Sequence, residues 1–159
     1  MVVTGILAGI ARHAYPKAPM EVLDGATITP ELGLEGDCKG RFKPGGRNRR
    51  QVTLIERGAW QAALAEIGAD IPWQERRANL LVDGLALPQE AGALLRIGSV
   101  RLMVMVECNP CYRMDALHPG LQAALTPDWR GGVCCRVLSG GVINVGDRIE
   151  IEQEAEQAA

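Results

Sequence analysis

Short apolar segments, separated by glycine, proline or aspartate, recur along most of the chain and constrain its fold more than any other feature. The segments span residues 2–10, 52–55, 79–82, 94–97, 100–106, 133–138 and 142–151. Their length and their β-branched content are typical of strands. Helices are predicted only for residues 56–67 and 119–125. Because two helices cannot cover both faces of a parallel sheet, we expect a mainly β fold, a closed or partly closed β-barrel with a few short connecting helices.

The length and charge of the chain limit its organisation and its partners. A chain of 159 residues with 47% hydrophobic content predicts one domain, over residues 1–152, and the polar tail 153–159 is expected to be disordered. The 17 basic and 19 acidic residues nearly balance, so we expect no nucleic-acid partner bound through net charge. The first apolar run is too short for a membrane span and lacks the features of a secretory signal, so we expect a cytoplasmic protein without membrane association.

The five cysteines indicate thiol or metal chemistry, because an odd number fits a disulfide framework poorly and cytoplasmic thiols stay reduced. Two of them, Cys108 and Cys111, form the sequence CNPC directly after an apolar segment. A four-thiolate zinc site would need a second spaced pair, but Cys134 and Cys135 are adjacent and would point to opposite faces of a strand. We therefore expect no zinc, and the absence of a dinucleotide fingerprint predicts no nicotinamide cofactor.

A redox pair of the thioredoxin kind is also disfavoured, because CNPC follows a strand instead of beginning a helix of an α/β unit. What remains is one functional thiol, and we assign it to Cys111, which Pro110 would hold at the strand end. Such a thiolate suits a soft metal or sulfur transfer. Cys108, Cys134 and Cys135 are interpreted as small buried hydrophobic residues, and Cys38 is expected in an exposed loop.

A basic segment, residues 38–50 with the sequence CKGRFKPGGRNRR, is the strongest candidate for anion binding. Its positive charges are Lys39, Arg41, Lys43, Arg47, Arg49 and Arg50. Its glycines would let the backbone approach a ligand, and guanidinium groups can bind two phosphate oxygens at once. The alternative is an ordinary solvated loop, which charge runs usually are, and the residues alone leave both interpretations open.

Arg76, Arg77 and Asn79 stand at the start of the strand predicted at residues 79–82 and could bind an anion and a polar ring edge. Alternatively, Asn79 only stabilises a turn and the arginines are solvated. The glycines of residues 129–133, WRGGV, could likewise form only a tight turn. The two histidines, His13 and His118, are expected at the surface or in turns.

Seven motifs in sequence resemble the MOSC domain, the family named after the C-terminal part of molybdenum cofactor sulfurase. They are GLEGD (33–37), RQVTLI (50–55), RRANLLVDGLAL (76–87), LLRIG (94–98), CNPC (108–111), RGGV (130–133) and VLSGGVINVGD (137–147). The resemblance runs over about residues 5–150 and implies a strand-rich barrel. After the aspartate of GLEGD, many family members have Arg-His where this chain has Cys38 and Lys39.

The resemblance also implies a molybdenum cofactor of the molybdopterin type. Cys111 matches the position of the family's molybdenum ligand, and Arg77 and Asn79 match an R-x-N pattern that would bind the pterin or its phosphate. Three further residues, Arg130, Gly131 and Gly132, would line the same pocket. The basic segment, with Lys39, Arg49 and Arg50, would hold the cofactor's phosphate.

Two functions follow from this resemblance. Known members either reduce N-hydroxylated small molecules with the molybdenum cofactor, or receive and pass on sulfur. The first function would require an external electron-donor protein as partner. The second would require a cysteine desulfurase that places a persulfide sulfur on Cys111.

Overall fold

The computed structural model describes residues 3–152, and eleven strands dominate it. The strands are β1 (Val3–Arg12), β2 (Glu21–Leu23), β3 (Gly25–Thr29), β4 (Gly33–Leu34), β5 (Val52–Glu56), β6 (Leu80–Asp83), β7 (Leu94–Ile97), β8 (Val100–Glu107), β9 (Val133–Ser139), β10 (Gly141–Asn144) and β11 (Arg148–Glu152). The helices are α1 (Arg57–Ile67), α2 (Arg113–Leu117) and α3 (Leu121–Leu125), with 3-10 turns at Trp73–Arg76 and Pro127–Trp129. No helix in the described residues is long and apolar enough to cross a lipid bilayer.

Seven of the strands form a closed barrel. Their order around the ring is β11, β7, β8, β9, β5, β6 and β1, and the pairing of β1 with β11 closes it. All neighbours are antiparallel except β5 and β6, which are parallel and need the crossover that contains α1. Strand β2 adds to β1, and β10, β3 and β4 form a separate small sheet. The predicted mainly β barrel with a few short helices is confirmed.

The core lies inside the barrel because alternate residues of its strands point inward. On β8, Val100, Leu102 and Val104 are fully buried, whereas the residues between them are partly exposed. A second apolar cluster packs the helices against the outside of β5 and β6, with Trp60 of α1 and Leu121 of α3 among its members. Close packing in the two clusters fixes the positions of the strands whose ends carry the candidate site.

The element predictions differ from the structure where segments are short or a turn interrupts them. The predicted strand 142–151 is two strands in different sheets, since the chain turns at Gly146 (φ +102°) and Asp147 accepts the backbone N–H of Asn144. The pattern also missed β2, β3, β4 and α2. Of these, β2 and β4 have only three and two residues and are too short to show a period. The tail 153–159, expected to be disordered, lies outside the described residues.

Candidate functional site

Loops that are distant in the sequence meet around a cavity of about 660 Å³. Its walls come from the end of β1, the basic segment, the 3-10 turn before β6, and the CNPC sequence with the start of α2. Of the predicted site residues, it brings together Lys39, Arg50, Arg77, Asn79 and Cys111. The volume is in the range of small-molecule and cofactor pockets.

The cavity is strongly cationic. Seven lysine and arginine residues line it: Lys39, Arg41, Lys43, Arg50, Arg76, Arg77 and Arg113. Asp37 is the only carboxylate among the described lining residues, and its oxygens already accept the backbone N–H groups of His13 (3.1 Å) and Lys39 (3.3 Å). The lining therefore favours an anionic ligand.

A smaller cleft of about 350 Å³ offers a useful contrast. It lies between Arg96, Arg148, Asp147 and Glu150 on the outside of the barrel. Glu150 pairs with Arg96 at 2.9 Å and with Arg148 at 3.7 Å, so the positive charge of this cleft is already compensated. The larger cavity is the better candidate site.

Cys108 lies at the wall of the cationic cavity and contacts two guanidinium groups. Its Sγ is 3.4 Å from Nη2 of Arg76 and 3.9 Å from Nη2 of Arg50. Arg76 is buried, 7% exposed, and also donates to the carbonyl oxygens of Cys108 (2.9 Å) and Gly131 (3.0 Å). None of the carboxylates in residues 3–152 pairs with Arg76, so the sulfur is the acceptor best able to balance its charge.

The three buried thiols differ in acidity, and Cys108 is the most acidic of them. A hydrogen bond from the Cys134 thiol, together with Arg76 and Arg50, outweighs burial and lowers the pKa of Cys108 to about 6. The same hydrogen bond and burial raise the pKa of Cys134, while burial raises the pKa of Cys135. Cys108 is thus buried as expected, yet it carries the thiolate of this group.

Cys111 differs from Cys108 because it is exposed. It follows β8 by a short loop, and its carbonyl oxygen accepts the backbone N–H of Met114 at the start of α2. The Gln122 side chain donates to the carbonyl of Pro110 and ties this loop to α3. Cys111 is therefore the lining thiol that a cofactor or a partner protein reaches most easily.

Arg77 and Asn79 occupy different parts of the cavity wall. Arg77 has a positive φ of 67° at the end of the 3-10 turn, and its guanidinium donates to the carbonyl of Ala18. Asn79 is buried: its Oδ1 accepts the backbone N–H of Thr53 and its Nδ2 donates to the carbonyl of Ala11. These hydrogen bonds connect β1 and β5 to the start of β6. The Asn79 side chain therefore stabilises the barrel as well as lining the cavity.

Four predicted site residues, Arg49, Arg130, Gly131 and Gly132, are not among the lining residues. Arg130 pairs with Glu66 of α1 at 2.7 Å. The two glycines allow close packing, because a Cβ on Gly131 would lie 2.5 Å from the carbonyl oxygen of Cys108. Gly131 packs directly against lining residues, Cys108 and Arg76, and the predicted contacts of all four residues with a cofactor stay predictions.

The expectation that His13 is a surface or turn residue is wrong. This residue is 5% exposed and lines the cavity. The reason is long-range: Cys38 donates its backbone N–H to the carbonyl of His13, and Asp37 accepts the N–H of His13, so the loop after β4 covers the end of β1. No local pattern predicts this contact.

The match to known families begins within the basic segment. A family model for the MOSC domain matches residues 42–150. The chain belongs to the MOSC domain family. The match spans β5 to β11 with the CNPC sequence, whereas His13, Asp37 and Lys39 lie before it. No curated protein matches the chain with significant similarity.

Solved structures of other MOSC proteins share the fold. The YuaD protein of Bacillus subtilis has a TM-score of 0.74 at 20% identity, over 95% of this chain and 97% of that one. YiiM of Escherichia coli has a TM-score of 0.67 at 18% identity, over 96% of this chain and 70% of that one. YiiM of Geobacillus stearothermophilus has a TM-score of 0.66 at 13% identity, over 93% of this chain and 74% of that one. Within the family, the barrel is therefore shared despite low identity.

The MOSC family is associated with the molybdenum cofactor, and the cavity suits such a group. Its cations match a phosphate, and Cys111 offers a soft thiolate ligand. Residues 3–152 hold no group of three or more histidine, cysteine or acidic side chains arranged to bind a metal ion.

Proposed function

We propose that the protein binds a molybdenum cofactor of the molybdopterin type in the cationic cavity, with Cys111 as the ligand that the protein gives to molybdenum. The observation that carries this proposal is the exposed thiol of Cys111 on the same cavity as seven lysine and arginine residues. Lys39, Arg50 and Arg77 would hold the phosphate and the pterin. Arg41 adds to the same positive field.

The reaction proposed is reduction of N-hydroxylated small molecules. The bound cofactor would supply the redox chemistry. Two electrons and two protons convert an N–OH group to N–H and water, and the electrons would come from a separate donor protein. The protein's own residues bind the cofactor through charge and shape the space left for the substrate. Reduction of a hydroxylamine by loaded protein with an artificial reductant tests this step, and no turnover by fully loaded protein would contradict it.

Charge reversal at the cavity wall is expected to prevent cofactor loading. Arg50→Glu and Arg77→Glu should each lower the affinity for isolated cofactor at least about tenfold, because a carboxylate would face the phosphate. Retained pterin, measured by fluorescence after oxidation, gives the readout. Arg47→Glu is the matched control: it makes the same charge change in the same segment, but Arg47 is exposed and does not line the cavity. Equal losses in all three variants would show only a general charge effect.

A second function, as a sulfur carrier, is favoured by the exposure of Cys111, because a partner desulfurase must reach the accepting thiol. Incubation with a cysteine desulfurase and cysteine should then add the mass of one sulfur to Cys111. The Cys111→Ser protein should gain none, and Cys38→Ser serves as the control. A sulfur adduct that persists in Cys111→Ser would contradict this function.

A further inference from the structure

His13 is the cavity residue that the proposed function leaves unused. Among residues 3–152 its Nδ1 is buried without a hydrogen-bond partner, and its Nε2 makes no hydrogen bond either. The ring lines the cavity and lies outside the part of the chain that matches the family model. His13 is 5% exposed, and burying a polar ring without a hydrogen-bond partner costs folding free energy. A bound ligand, or protonation of the ring, would compensate for this cost.

The charged groups around His13 come from two segments. Asp37 and Lys39 belong to the loop after β4, and Arg77 belongs to the turn before β6. Oδ1 of Asp37 lies 3.4 Å from Nδ1 of His13, and the Asp37 side chain is 3% exposed. Burial lowers the pKa of His13, Asp37 raises it, and Arg77 and Lys39 lower it, with a net decrease. Without a bound anion His13 is therefore neutral at neutral pH.

An anion in the cavity changes this balance. Its negative charge would offset Arg77 and Lys39, the two cations that disfavour protonation of His13. The imidazolium has two donors, one for each side of the ring. Nδ1–H can then bind Asp37, which is already 3.4 Å away, and Nε2–H is free to bind an oxygen of the ligand.

We propose that His13, backed by Asp37, is an anion contact that takes up a proton when a tetrahedral dianion, such as a phosphate group, enters the cavity. This inference rests on the proposed function, because it assumes that the cavity binds an anionic group. It adds that the site is proton-linked and that His13 is part of it. The bond formed is N–H on the ring, and the proton comes from solvent.

The sign of the pH dependence follows from this linkage. The bound state holds one proton more than the free state between the two His13 pKa values, so binding weakens as pH rises through that window. Below the pKa of the free protein, His13 is protonated in both states and the affinity is constant. Each pH unit by which the anion raises the pKa corresponds to about tenfold in affinity.

Histidine NMR gives a direct test, because the chain has two histidines, His13 and His118. Inorganic sulfate is the probe, since it stays a dianion across the range in which histidine titrates. Saturating sulfate should raise the titration midpoint of His13 by at least about one pH unit, while the midpoint of His118, which lies outside the cavity, stays unchanged. His118→Gln assigns the signals.

Sulfate affinity measured against pH by calorimetry completes the test. Because the Cys108 thiol also lines the cavity and has a pKa of about 6, both proteins compared carry Cys108→Ser. With His13 present the affinity should fall at least about tenfold as pH rises through the window, and adding His13→Gln should leave little pH dependence. The role of His13 would be overturned if sulfate left its titration midpoint unchanged, or if His13→Gln showed the same pH dependence of sulfate affinity. Either result would still be compatible with an anion site in the cavity. No sulfate binding at any pH would overturn both this inference and the anionic cavity of the proposed function.

Discussion

Gly132→Ala is expected to lower the free energy of unfolding by roughly 3 kcal/mol or more. A Cβ at this position would overlap the carbonyl oxygen of Leu54, and the φ of +101° is strained for any other residue. The neighbouring backbone cannot move away easily, because β5 is paired on both sides and the carbonyl of Gly132 accepts the N–H of Cys108. Urea unfolding of the purified variant measures the loss.

Gly146→Ala is the matched control for this substitution. Gly146 has nearly the same φ, +102°, but beyond its chain neighbours no heavy atom lies within 4 Å of the position that a Cβ would take. It should therefore show only the backbone strain, roughly 1–2 kcal/mol. Equal losses in the two variants would mean that the contact with Leu54 does not matter.

Arg76→Gln is expected to destabilise the protein and to change the chemistry of Cys108. Two buried carbonyl groups, of Cys108 and Gly131, would lose a charged donor, which costs roughly 2–3 kcal/mol. Loss of the guanidinium beside Sγ should also raise the pKa of Cys108 from about 6. The pH midpoint of Cys108 alkylation by iodoacetamide, followed by mass spectrometry, should move upward.

Arg50→Gln separates these two effects. Arg50 is exposed, and its Nη2 lies 3.9 Å from the same sulfur, so the pKa of Cys108 should rise with little loss of stability. If neither arginine variant shifts the alkylation midpoint, the thiolate of Cys108 does not depend on these cations.

The barrel could be predicted from the sequence because most of its strands have a recognisable local pattern. The inward positions of β8 alternate with partly exposed ones, and glycine or aspartate separates most strands from the next. Short elements such as β4, with two residues, contain no complete period. They form because strands from elsewhere in the chain pair with them. The local sequence does not show which strands will pair.

The site could be predicted only where a motif carried it. Cys111, Arg50 and Arg77, which the resemblance to the family singled out, line the cavity, whereas Arg49, Arg130, Gly131 and Gly132 do not, and the cofactor contacts predicted for all of them stay predictions. The burial of His13 against Asp37, and of Arg76 against Cys108, depends on contacts between residues 24 and 32 positions apart. Such contacts join loops that follow or precede different strands, and no spacing in the sequence encodes them.

The molybdenum and pterin content of protein purified from a host that makes the cofactor decides whether the cationic cavity is a cofactor site. We expect molybdenum and pterin at about one per chain in the wild type. Cys111→Ser should lose the metal, whereas Cys108→Ser, which removes the other thiol of CNPC, should retain it. Wild-type protein that holds neither molybdenum nor pterin, even after incubation with isolated cofactor, would contradict the proposed site, as would metal retained in Cys111→Ser and lost in Cys108→Ser.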